Sequence, residues 1–207
     1  MVVCSNGLLS FAAGFVKVLK YPHPILKYKS KPLQKINQDI RDIVAEMLEI
    51  MYAADGVGLA ANQVGLPFRL FVMNPSGHKE DKENEYVFIN PVILKKTGKV
   101  ADSEGCLSFP DVYADVIRSE SIEVESISLF GEEQHFRWKD RPARIVQHEI
   151  DHLNGISFAD RLTATAKIGI NAELEELSTI FEGNQRLGFD PCTAALREYE
   201  QYAQKFC

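Results

Sequence analysis

Ile40, Ile43, Val44, Met47, Leu48 and Met51 recur at three- and four-residue intervals through QDIRDIVAEMLEIMYAA, with charges between them. That period predicts a helix with one apolar face, and Asn37 stands where its N-cap belongs. From residue 68 the pattern changes: FRLFVM (68–73), EYVFINPVILKK (85–96), DVYADVIR (111–118), SIEVESISLF (121–130) and EEQHFRWK (132–139) are rich in β-branched and aromatic residues and read as strands. The charge-mixed SGHKEDKENE between the first two is a solvated loop. A second strong helix follows, with Asp140 as cap, Pro142 in its first turn and Gly155 at its stop. NAELEELSTIFEG (171–183) and PCTAALREYEQYAQKF (191–206) carry weaker helical patterns. One helix, then strands, then helices predict an α+β fold: antiparallel or mixed sheet around a central helix, with a helical C-terminus.

The opening MVVCSNGLLSFAAGFVKVLKYP has an apolar run from Leu8 to Leu19 broken by Lys17. It is too short to span a bilayer, and no positive charge precedes it as in a signal peptide. A loose leader over 1–17 leading into a first strand is expected, then a globular domain over 18–164 and a helical tail over 165–207. With 207 residues and 45% hydrophobic content the chain can bury a core, and a net charge of −6 without any basic cluster argues against nucleic acid or an anionic membrane as partner. Cys4, Cys106, Cys192 and Cys207 form no CxxC pair, which points to a reducing compartment. The expected location is the cytoplasm, or an organelle stroma or matrix should the leader be a targeting segment.

QHEIDHLNGI (147–156) lies within the second helix. Positions i and i+4 share a face, so His148 and His152 can aim both imidazoles at one point with Glu149 beside them: two metal ligands and a base. The same spacing also arises on ordinary surface helices. A hydrolytic metal needs a third protein ligand and an open position for water. Cys106 in EGCLS is one candidate, although a free cysteine is often just a small buried hydrophobe; Glu173 or Glu176 in NAELEEL is the other, although such glutamates are usually solvated helix charges.

GVGLAANQ (56–63), EGCLS (104–108) and QHEIDHL (147–153) resemble, in order, the three signature motifs of the peptide deformylases. VLKYPHPIL, FPDVYADVIR and RPARIVQHE extend the resemblance over about residues 18 to 163, toward the subgroup shared by organelles and some bacteria. Asn62 departs from the pattern, since many relatives have proline there. The resemblance implies that Cys106, His148 and His152 hold the metal, normally ferrous iron with zinc, nickel or cobalt as substitutes, and that Glu149 is the acid and base. It also implies removal of the N-formyl group from the formylmethionine of nascent peptides, with the Leu107 N–H and the Gln63 amide as oxyanion donors.

If GVGL runs extended at a sheet edge, Gly56 and Gly58 let a substrate strand come close, and Val57, Leu107 and Ile145 are candidates for a methionine pocket or, equally, for ordinary core. Glu104 and Asp151 are candidates to orient the histidines, paired with Arg118 or Arg161. His23, His78 and His135 read as turn, loop and strand-surface residues. The tail is a candidate for docking on the ribosome. Two alternatives stand beside this reading: an HExxH metallopeptidase with a downstream glutamate ligand, and a non-catalytic metal-stabilised peptide-binding domain closed by Cys4 or Cys192 as a fourth ligand.

Overall fold

The structure is a computed structural model that describes residues 17–187 and 192–207. Helix α1, Gln38–Ala53, starts where the pattern places it: Asn37 Oδ1 accepts the Ile40 N–H at 3.2 Å, and Ile40, Ile43, Val44, Met47 and Met51 are buried. Among the described residues seven strands follow: β1 Gly58–Ala60, β2 Leu70–Met73, β3 Tyr86–Thr97, β4 Val100–Cys106, β5 Phe109–Arg118, β6 Ser121–Ile127 and β7 Glu133–Lys139. They form a five-stranded sheet in the order β1-β2-β3-β6-β7 and a separate β4–β5 hairpin, with every strand pair antiparallel. The α+β expectation is met.

Helix α2, Asp140–Leu153, packs against β1, β2, β6 and β7, and every residue from Ala143 to Leu153 is buried. A helix covered all round is the centre of a fold, and this one carries both histidines. Its start differs from expectation. Asp140 is not the cap but the first helical residue, with φ 53°; the cap position is Lys139, whose side chain makes no capping bond. The reason is that β7 runs into the helix without a loop, so strand geometry sets the entry, and the Asp140 N–H goes to the Glu120 carbonyl at 2.9 Å. Its stop is as expected. Gly155 has φ 72°, its N–H bonds the His152 carbonyl, and the Ile156 N–H reaches back to the Asp151 carbonyl, both at 2.9 Å. This is a Schellman closure.

The described part of the opening segment is irregular at 17–20 rather than a strand; residues 1–16 lie outside the described residues. Separate backbone bonds, from the Leu19 N–H to the Gln63 carbonyl at 2.7 Å and from the Tyr21 N–H to the Ser108 carbonyl at 2.8 Å, stand in place of the expected ladder. His23 is fully buried, its Nδ1 accepting the Ile25 N–H at the start of a 3-10 turn, whereas His78 and His135 are exposed as read. After α2 come α3 Ala164–Gly169, α4 Asn171–Arg186 and α5 Cys192–Phe206. These helices fold back: Ile170 and Leu174 join Phe109, Val112, Val116 and Phe158, while Phe206 stacks edge-on against Phe68 at 5.4 Å. Among the described residues no helix is long and apolar enough to cross a membrane.

Candidate active site

One turn of α2 sets the His148 and His152 rings side by side, their Nε2 atoms 3.2 Å apart. Cys106 ends β4 at the tip of the hairpin, and its Sγ lies 3.2 Å from His152 Nε2. The three ligand atoms all fall within 4.8 Å of one another. Metal bonds of roughly 2.0–2.3 Å at tetrahedral angles need donors about 3.3–3.8 Å apart, so the trio fits a metal ion with little adjustment. A thiolate and two imidazoles suit zinc, iron or cobalt by softness. No other His, Cys, Asp or Glu among the described residues joins them; Glu173 and Glu176 are exposed on α4. Cys4 lies outside the described residues, as does the Cys192 side chain.

Glu104, two residues before Cys106, ties the hairpin to the helix. Its carboxylate meets His148 Nδ1 at 2.9 Å and accepts from Arg118 Nε at 2.7 Å and from Arg144 Nη1 at 2.6 Å. The bond at Nδ1 fixes the His148 ring and leaves Nε2 toward the ligand group. Burial would raise the Glu104 pKa, but bonds from His148 and Arg118 outweigh it and hold the group at about 2. Burial likewise opposes charge on His148, and bonds to Cys106 and Glu104 overcome it, giving about 10 without an ion. His152 is held well below the usual histidine range, first by burial and then by the His148 charge. Asp151 accepts from Arg118 Nη1 at 2.6 Å and Arg161 Nε at 2.9 Å, so both arginines pair as sequence suggested.

Arg144 was not singled out in the sequence. It is buried, and besides Glu104 it donates to the Val116 carbonyl at 2.9 Å and the Val100 carbonyl at 3.0 Å, buttressing both hairpin strands. Its signal was position: four residues before His148, it lies on the ligand face of the helix.

Glu149 is 4% exposed, and burial pushes its carboxyl up to about 7. Gly58 makes room for it: a Cβ there would stand 2.5 Å from Glu149 Oε1, and one on Gly56 would stand 2.7 Å from Leu107 Cδ1. The expected residues share one cavity of about 760 Å³, whose walls include Gly56, Val57, Gly58, Gln63, Leu107 and Ile145 as well as Cys106, His148 and Glu149. Val57 and Ile145 also pack into the core under α2, so the two readings of them coexist. Among the described residues β1 is an edge strand, bonded in the sheet only to β2. Gln63 Oε1 accepts the Ala60 N–H at 2.8 Å, which turns its amide nitrogen toward Ser108 Oγ at 3.2 Å and Cys106 Sγ at 3.7 Å. Asn62 is fully buried, and its amide donates to the His152 carbonyl at 2.6 Å.

Comparison with known proteins covers these same segments. The polypeptide deformylase family matches residues 15–167. A peptide deformylase of Rhodopirellula baltica is 40% identical over 84% of this chain and 86% of its own. Peptide deformylase 1B of Arabidopsis thaliana, described as chloroplastic/mitochondrial, is 40% identical over 81% of this chain, which spans 61% of that longer sequence. The crystal structure of a plant peptide deformylase superposes with a TM-score of 0.79 at 40% identity, covering 81% of this chain and 91% of that one. Because the match spans residues 15–167, taking in the glycine segment, the cysteine hairpin and the histidine helix, the chain belongs to the polypeptide deformylase family.

Proposed function

We propose that this chain removes the formyl group from the formylmethionine at the start of newly made polypeptides, releasing formate. The observation that carries the reading is the convergence of Cys106, His148 and His152, with Cys106, His148 and Glu149 lining a cavity that the edge strand borders. Cys106, His148 and His152 would hold a divalent cation, which when bound would supply Lewis acidity, lowering the pKa of a water molecule and polarising the formyl oxygen. Glu149 takes the proton from the attacking water and passes it to the departing amine, a shuttle suited to a carboxyl whose burial raises its pKa. The Leu107 N–H and the Gln63 amide, turned from Ser108, receive the charge that grows on the formyl oxygen. The substrate main chain adds as a strand along Gly56, Val57 and Gly58, and its methionine side chain lies among Val57, Leu107 and Ile145.

Ferrous iron is the proposed ion, with zinc, nickel or cobalt as substitutes. Activity lost in air and retained with nickel supports iron, since a thiolate beside ferrous iron is open to oxidation; indifference to air points to zinc. Nascent formylated chains are the proposed partners, in the cytoplasm or an organelle, with the C-terminal helices as the side that meets the ribosome. The direct test is formate release from a short formyl-Met peptide by anaerobically loaded protein. Glu149→Ala is expected to keep the metal and lose at least about 100-fold in rate. Cys106→Ala should lose the metal and Glu173→Gln should keep it; the reverse pattern rejects the ligand assignment and favours the peptidase reading.

A further inference from the structure

The hairpin that carries Cys106 is only two strands wide, and Leu107 and Ser108 form its turn. An isolated two-stranded ribbon is marginal in water, so its tip needs support from outside the sheet. Besides the Gln63 amide, which reaches Ser108 Oγ at 3.2 Å, that support comes from residues 19–21. Lys20 Nζ donates to the Leu107 carbonyl at 2.6 Å, and the Tyr21 N–H donates to the Ser108 carbonyl at 2.8 Å. One residue earlier, the Leu19 N–H holds the Gln63 carbonyl at 2.7 Å. Tyr21 then stacks on Phe109, the first residue past the turn, with centroids 4.8 Å apart. The segment therefore touches both assigned oxyanion donors, and Lys20 is the one side chain in it that bonds the turn bearing Leu107. It also lines the cavity beside Cys106.

We propose that Lys20 is a positioning residue for deformylation: by binding the Leu107 carbonyl it keeps the hairpin tip, and with it the Leu107 N–H, aimed at the developing oxyanion. The inference rests on the deformylase reading above. A bond to an ammonium is stronger than one between neutral groups, which suits a tether across a short turn. Its loss tilts a donor that acts only in the transition state, so the effect falls on turnover rather than on substrate binding.

The test uses wild type, Lys20→Met and Lys20→Arg, each loaded anaerobically and assayed for formate release. Amide hydrogen exchange is followed at residues 107–109 in the same samples. Lys20→Met is expected to lower kcat about tenfold, less than outright removal of a donor, with KM within about twofold, metal content unchanged and faster exchange confined to the tip. Lys20→Arg is expected to recover most of both. Wild-type kcat in Lys20→Met, or an unchanged exchange rate at the tip, overturns the inference. So does a loss that Arg does not restore and that comes with a general fall in thermal midpoint. A wild-type protein that releases no formate overturns the functional reading instead, while the exchange data still report on the tether.

Discussion

Glu104 faces His148, Arg118 and Arg144 at once, and the cost of losing it is set by what it leaves behind. Its folded pKa of about 2 lies below the ordinary glutamate value of 4.5, so its contribution to stability is complete above the unfolded value and fades as pH falls toward 2. A gap of this size is worth about 3 kcal/mol. Urea unfolding of ion-free Glu104→Gln is therefore expected to show about 3 kcal/mol less stability at pH 7 than wild type, with a shallower decline between pH 5 and 2. Asn62 makes a smaller, separate contribution. At a position where the family pattern often has proline, its amide ties the glycine segment to the carbonyl at the end of the ligand helix. Asn62→Ala is expected to lose about 1 kcal/mol in the same assay, because the Gly155 N–H still serves that carbonyl.

Gly155 closes α2 in a conformation with φ 72°, and a Cβ there would lie 2.3 Å from the Lys27 carbonyl oxygen. Gly155→Ala should consequently lower stability by about 2 kcal/mol, read as a drop in thermal midpoint, since both the backbone angle and the neighbouring chain resist it. That stop was legible in the sequence, as was α1 with its cap, because local period and a single punctuating residue determine them. β4 was not. VADSEGC has four exposed residues at its start and no sheet on either side but β5, so no alternation of apolar positions marks it. The start of α2 was misplaced for a related reason: a helix fed directly by a strand needs no cap of its own. Cys106, His148, His152 and Glu149 were legible as chemistry; Arg144 and Lys20 were not, because their partners are backbone carbonyls and a carboxylate brought near only by folding.

Taken together, the described residues form a core in three parts, and residues after 164 contribute to two of them. Phe206 is buried against Phe68 and does not line the cavity, so Phe206→Ala is expected to cost about 3 kcal/mol in unfolding while formate release per folded molecule stays within twofold. The ligand set is divided between structures that meet only in the finished fold: Cys106 on a ribbon apart from the main sheet, and the histidines on the helix buried at its centre. A chain emerging from its amino end exposes the thiol well before either imidazole, and joining them requires closing a long loop. An ion bound by all three donors would therefore require hairpin and helix to have docked first.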